Sequence, residues 1–228
     1  VAGGVISIEP SADDRGPRTK RRAWPRDLHM LAVWSGHSAS TPAMLARLQD
    51  YREQQAEACS RHMARLSDIA SRALSAWQRE DVAAVLASLD SYASALQKLD
   101  QDAGIGICSG GHVAMREIAR AHGAVYKPSG AGGGDFGIAL AGSGEVIETV
   151  ARDFSARGYH CLEAGICARG LAVEAPRKSA HEAALLQIDH GDLVLHVLEH
   201  HVRGAVARQA LAVGVEALGR PRARAGAR

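Results

Sequence analysis

The segment Lys127-Pro-Ser-Gly-Ala-Gly-Gly-Gly-Asp-Phe-Gly137 constrains this chain more than any other. A short β-type run from Ala124 to Tyr126 leads into it, and an apolar run from Phe136 to Ala141 leads out. Gly130, Gly132, Gly133 and Gly134 carry no side chains, so their backbone N–H groups can approach an anion closely. Lys127 adds a cation, Ser129 a hydroxyl and Asp135 a carboxylate. That composition suits a loop that cradles a phosphate. A plain glycine-rich hairpin turn is the alternative, since such turns also join strands. The segment is not a P-loop, because no Gly-Lys-Ser/Thr follows it and no helix opens directly after it. It also lacks the strand–helix turn spacing of a dinucleotide fingerprint.

The 228 residues suit one domain, or one domain with an extension. A hydrophobic fraction of 46% is enough for a core, and only 4% of residues are aromatic. Ala, Leu and Val dominate, which favours helix-rich packing over a β-sandwich. A net charge of +2 argues against a nucleic-acid partner. Cys59, Cys108, Cys161 and Cys167 form no C-x-x-C pair, and no histidine spacing completes a zinc site with them. They read as free thiols of a cytoplasmic protein, with Cys161 and Cys167 buried rather than reactive. No secretory segment opens the chain and no run of ~18 apolar residues is present, so no membrane association is expected.

Val1 to Glu9 reads as a strand. Pro10 to Arg26 reads as a polar, solvated connection holding Arg15, Arg18, Lys20, Arg21, Arg22 and Arg26, with Trp24 alone able to stack on a base. Leu28 to Trp34 is a second strand, running into Ser35-Gly-His-Ser-Ala-Ser-Thr-Pro42. Ser40 or Thr41 can cap the helix that follows, with Pro42 in its first turn. Helical periodicity extends from Ala43 to about Trp77, and a further helix spans about Arg79 to Leu99 with Asp81 in its first turn. Gln101 to Gly111 is a glycine-rich break. A helix from His112 to His122 precedes the glycine segment, and another from Glu145 to Arg157 follows it. Tyr159 to Ala164 and Ile166 to Val173 read as a terminal hairpin. Ser179 to Leu218 is helical in pattern, and Arg220 to Arg228 forms a basic tail. His181, His190, His196, His200 and His201 approach metal-ligand spacing beside Glu199, but a solvated helix face is the preferred reading, and no metal ligand is assigned. The order is α+β: an antiparallel sheet with helices on one face and a large helical insertion after the second strand.

Lys127-Pro-Ser-Gly-Ala-Gly-Gly-Gly-Asp-Phe-Gly-Ile-Ala-Leu140 resembles the C-terminal glycine motif of the GHMP kinases, in detail that of the phosphomevalonate kinase branch. Leu31-Ala-Val-Trp-Ser-Gly-His-Ser-Ala-Ser-Thr41 is similar to a second motif of that branch, at the matching distance upstream. The resemblance covers about residues 1 to 173. It implies three regions: 1–26 as the end of an N-terminal kinase domain with a basic connection, 27–174 as a ferredoxin-like C-terminal domain, and 175–228 as a helical extension. It also implies transfer of a phosphoryl group from ATP, with Mg²⁺, to 5-phosphomevalonate, a step of isoprenoid synthesis by the mevalonate route.

On this resemblance Ser129, Gly130, Ala131, Gly132 and Gly133 contact the phosphates of substrate or nucleotide. Lys127 either adds positive charge or braces the loop. Asp135 fixes the loop by accepting backbone hydrogen bonds rather than holding a metal. Ser38 and Ser40 line the acceptor side, although capping a helix is the stronger reading for Ser40. Such transfer depends on positioning and charge neutralisation, which N–H donors and a cation supply. Phe136 stands where the branch usually has a small residue, so its ring either packs in the core or narrows the site.

The family's nucleotide loop has no counterpart here, and its catalytic Asp would precede Val1-Ala-Gly-Gly-Val-Ile-Ser-Ile. No catalytic residue is therefore assigned, and the chain alone is expected to turn over little substrate without a complementing N-terminal half or a second copy. Two other readings stay open. One is a non-catalytic binding or interaction module, with Leu185, Leu186, Ile188, Leu193, Val194, Val197 and Leu198 as a new interface. The other is a GHMP kinase with a different small-molecule acceptor.

Overall fold

The computed structural model describes residues 4–9, 17–36, 38–134, 136–162 and 166. Strand β1 (Val5–Glu9) pairs antiparallel with β2 (Arg18–Arg22), from Val5 opposite Arg22 to Glu9 opposite Arg18. The stretch expected as a polar connection therefore contains a strand. Its residues Arg-Thr-Lys-Arg-Arg show no apolar alternation, and all but Arg22 are exposed, so the backbone ladder alone defines it. Arg22 Nε donates to the buried Ser7 Oγ at 2.9 Å. Trp24 then packs edge-to-face on Trp77, ring centroids 5.2 Å apart, tying the hairpin to the helical insertion.

The main sheet is antiparallel, with β4 (Val125–Pro128), β5 (Phe136–Ala141), β3 (His29–Trp34) and β6 (His160–Leu162) side by side in that order. Strand β5 has the limits the apolar run implies. Side chains alternate between two faces, as strand geometry requires. Leu31, Val33, Tyr126, Ala139 and Ala141 meet Met115, Ile118 and Ala119 of α4 (Gly110–Ala121) and Val150 and Phe154 of α5 (Gly144–Ala156). Ala32, Ile138 and Leu140 meet the opposite layer through Ala76, Val85 and Leu89. The α+β, ferredoxin-like design thus carries its expected helical layer, α4 and α5, on one face. The insertion after β3 covers the other face as well, which is why β3 and β5 are apolar without interruption.

That insertion comprises α1 (Thr41–Gln54), α2 (Ala56–Gln78) and α3 (Val82–Ala103). The helical run expected from Ala43 to Trp77 breaks at Gln55, where φ is −136° and ψ is 53°. Arg52-Glu53-Gln54-Gln55 offers no apolar stripe to carry one helix through. Asp81 sits at the N-cap of α3 rather than in its first turn, its carboxylate accepting from Ala84 N at 3.0 Å. Gly104, at φ +60°, ends α3 in the left-handed conformation that favours glycine. Met44, Leu66, Ile69, Leu96, Leu99, Ile105 and Ile107 form a third cluster among these helices and the loop after α3. The Ile166 to Val173 strand, the helical extension with its histidines and the basic tail lie outside the described residues, apart from Ile166 itself.

Candidate functional site

The glycine loop joins β4 to β5, and Ser129 N donates to Phe136 O at 2.8 Å to close its base. Gly130, Gly132 and Gly133 hold φ of +69°, +77° and +77°, values that side chains rarely adopt. Two of them also answer a contact. A Cβ at Gly132 would fall 2.7 Å from both the carbonyl oxygen and the Cγ2 of Ile107. A Cβ at Gly133 would fall 3.0 Å from Gly106 O and from Ala39 Cβ. Gly133 N donates to Ile107 O at 2.7 Å. At Gly130 a Cβ would meet nothing within 4 Å. The glycines therefore let two loops touch, and only Gly130 faces open space among these three.

The loop they touch, residues 105–108, is held from the end of α3. Asp100 Oδ1 accepts from Gly106 N at 2.6 Å and Ile107 N at 2.9 Å, and Oδ2 accepts from Cys108 N at 2.7 Å. Arg47 Nη1 donates to Ile105 O at 2.8 Å from the α1 side. Successive N–H groups of this kind make a cradle for an anion. Here the chain's own carboxylate fills it, with charge-assisted bonds.

Ser35, buried at the end of β3, and the segment after it reach the same place. A Cβ at Gly111, in the first turn of α4, would lie 4.0 Å from Ser35 O. Ala39 lies against Gly133. Ser38 and Ser40 on either side of Ala39 are exposed. Ser40 occupies the N-cap of α1, but its hydroxyl makes no capping bond, and Pro42 stands in the first turn. The expected cap is thus a matter of position alone: proline already removes one N–H that would need a partner. His37 and Asp135 lie outside the described residues.

Lys127 is fully buried and does not face the loop's open side. Its Nζ donates to Pro128 O at 2.5 Å, directly before Ser129. Burial lowers its pKa to about 8, with a smaller opposing contribution from Cys108. Burial, and then Asp100, push the Cys108 thiol up to about 12, so it is not a nucleophile at neutral pH. Between the two alternatives for Lys127, this geometry is that of a brace.

Beneath the loop, Tyr126 Oη lies 2.7 Å from His112 Nδ1 and donates weakly to Met115 Sδ at 3.5 Å. A Cβ at Gly137 would fall 1.8 Å from that hydroxyl. Gly137 is thus required by the tyrosine that joins β4 to α4. Phe136, opposite Trp34 on β3, is half-buried and belongs to none of the three core clusters. A cavity of about 130 Å³ between α3 and α4 backs onto Pro128 and Cys108. Its Arg116 is already committed to Gln97, Asp90 and Ser94, so it is no ready anion site. Among the described residues no group of three His, Cys, Asp or Glu could hold a metal ion, and no helix is long and apolar enough to cross a membrane.

The chain is 31% identical over 125 residues to the phosphomevalonate kinase of Streptomyces sp. (strain CL190), a match over 55% of this chain and 33% of that protein. It spans about a third of that relative's length. Leishmania major mevalonate kinase, solved with R-mevalonate, superposes with a TM-score of 0.60 at 22% identity, over 68% of this chain and 45% of the other. Streptococcus pneumoniae phosphomevalonate kinase, solved with phosphomevalonate and AMPPNP, gives 0.56 at 20% identity, over 66% and 43%. No family model matches the sequence. In sequence and in fold the chain is similar to the GHMP kinases.

The sequence singles out the glycine loop and the serines at 38 and 40, and the fold brings the two segments into contact. It passes over Asp100, Arg47, Tyr126 and His112. One signal for Asp100 was available. A carboxylate in the last turn of a helix opposes the helix dipole, so it needs donors of its own.

Proposed function

We propose that this chain forms the acceptor side of a phosphomevalonate kinase, which transfers the γ-phosphoryl group of ATP to the phosphate of 5-phosphomevalonate. The observation that carries this reading is the meeting of the 35–40 segment with the glycine loop at Ala39 and Gly133. Both segments resemble motifs of that branch, and the Streptomyces relative supports the same assignment.

In this reading the loop 129–133 receives a phosphate through the N–H groups of Gly130 and Ala131, with Gly130 nearest to open space, while Ser129 N, Gly132 N and Gly133 N hold the loop in shape through Phe136 O, Ser129 O and Ile107 O. Lys127 braces the strand end through Pro128 rather than touching the ligand. Ser38 and Ser40 offer exposed hydroxyls on the acceptor side. Phosphoryl transfer gains from donors fixed before reaction, because they need no reorganisation as charge develops. Mg²⁺ finds no ligand group among the described residues, so no step is assigned to it.

Isothermal titration of the purified chain with 5-phosphomevalonate, mevalonate and Mg-ATP tests the reading. Binding of 5-phosphomevalonate in preference to mevalonate is expected, since the latter lacks the phosphate. Equal binding of the two would point to another acceptor in the same family. Binding of neither would leave the non-catalytic module as the better account.

A further inference from the structure

We infer that Asp100 is a positioning residue for the glycine loop: its carboxylate fixes the 106–108 backbone, and that backbone sets Gly132 and Gly133 in place. The inference rests on the acceptor-phosphate reading for its functional consequence, but not for its geometry. Each link is a short contact. Three amides of one loop converge on the two oxygens of Asp100 at 2.6, 2.9 and 2.7 Å. The middle residue of that trio, Ile107, returns its carbonyl to Gly133 N at 2.7 Å. Its carbonyl and side chain also occupy the space that a Cβ on Gly132 would need.

A loop of glycines has many accessible conformations, so it must be held from outside to present N–H groups in one arrangement. Gly130 has no such neighbour within 4 Å of a Cβ, whereas Gly132 and Gly133 rest on the braced loop. The hold therefore enters through 105–108. Asp100 is the carboxylate that fixes it, and Arg47 adds one bond at Ile105 from the other side. Asp100 itself need not approach a ligand.

The test combines amide hydrogen exchange with titration of 5-phosphomevalonate on the full chain. Asp100→Ala should speed exchange at Gly106, Ile107 and Cys108, and at Gly133 as well. It should weaken 5-phosphomevalonate binding about tenfold, the loss expected from charge-assisted bonds. Asp100→Asn keeps one acceptor oxygen but turns an N–H₂ toward Cys108 N, so it should fall between Asp100→Ala and wild type. It also serves if the alanine variant does not fold. Val85→Ala, in the cluster on the far face, should lower the melting temperature without changing Gly133 exchange or affinity.

Faster exchange confined to 106–108, with Gly133 and affinity as in wild type, would overturn the inference. If wild-type protein binds no 5-phosphomevalonate, the functional reading fails by itself. Exchange at Gly133 still decides whether Asp100 positions the loop.

Discussion

The loops at 129–134 and 105–108 lie against each other, yet only the first announces itself in the sequence. The glycine loop displays small residues, a lysine and a serine, all types associated with phosphate. Its partner displays Ile-Gly-Ile-Cys, which reads as a break between helices. In the structure the roles are less separate. Two of the advertised glycines serve contact with Ile107 and Gly106, and the advertised lysine is buried beneath them. The unadvertised loop presents the anion cradle, already filled by Asp100. A glycine motif thus records two demands at once, close packing and open backbone, and only the neighbours separate them.

The sharpest way to break this account is at Gly137. An added Cβ would lie 1.8 Å from Tyr126 Oη and 2.3 Å from Tyr126 Cζ. Neither the ring nor the central strand can move far, because Tyr126 is also bonded to His112. Gly137→Ala should destabilise the fold by about 4 kcal/mol, the upper range for overpacking. Urea denaturation measures it; a loss below about 1 kcal/mol would show that the packing account of this motif is wrong.

Within the loop itself, Gly132 and Gly130 separate the two demands. Gly132→Ala meets both the positive φ and the carbonyl of Ile107, so it should cost about 3 kcal/mol. Gly130→Ala meets only the positive φ and should cost about 1 kcal/mol. Affinity for 5-phosphomevalonate should respond strongly to Gly130→Ala despite its small stability cost. If Gly130→Ala binds as wild type does, Gly130 is not at the phosphate.

Buried Lys127 and partly buried Cys108, behind the loop, give a pH signature. Lys127 titrates near 8 in the folded chain and near 10.5 when unfolded. Between those values the unfolded chain holds the extra proton, so stability rises with pH. Cys108 acts in the opposite sense, near 12 folded and 9.0 unfolded, so stability falls between those values. The two leave a net rise only from about pH 8 to 9, of about 1.4 kcal/mol for that one unit. They cancel up to about 10.5, and a decline follows, steepened by the buried hydroxyls of Tyr92 and Tyr126, whose pKa values burial also raises. Lys127→Met should abolish the rise. Denaturation midpoints at pH 7.5 and 9.0 check this, and a rise that persists in the variant would mean that Lys127 is not its source.

What could be read in advance follows from where information sits in a chain. Strands β3 and β5 are apolar runs, and helices α4 and α5 are amphipathic stretches with apolar residues at helical spacing, so side chains alone mark them. Strand β2 is Arg-Thr-Lys-Arg-Arg, and only its backbone pairing with β1 makes it a strand. The same limit hid Asp100. Its partners are main-chain N–H groups, which every residue but proline possesses and no sequence pattern labels. The need for Gly137 was invisible for a different reason, since it depends on Tyr126 of the neighbouring strand lying beneath it. The meeting of 35–40 with the glycine loop could be expected only from the resemblance of both to one family, not from their spacing.

Ser40 offers the smallest effect and a clean contrast with the loops. A serine at an N-cap ordinarily contributes about 1 kcal/mol through its hydroxyl. Here the hydroxyl makes no such bond, and Pro42 already lacks one of the N–H groups that a cap would satisfy. Ser40→Ala should therefore change stability by less than about 0.5 kcal/mol. Because the side chain is exposed and next to Ala39, any loss it causes should appear in 5-phosphomevalonate affinity instead. A loss of about 1 kcal/mol in stability, with affinity unchanged, would mean that Ser40 caps α1 in solution and would remove it from the acceptor side. Unchanged stability with weaker binding would place the 38–40 hydroxyls beside Gly130 as the second wall of the phosphate site.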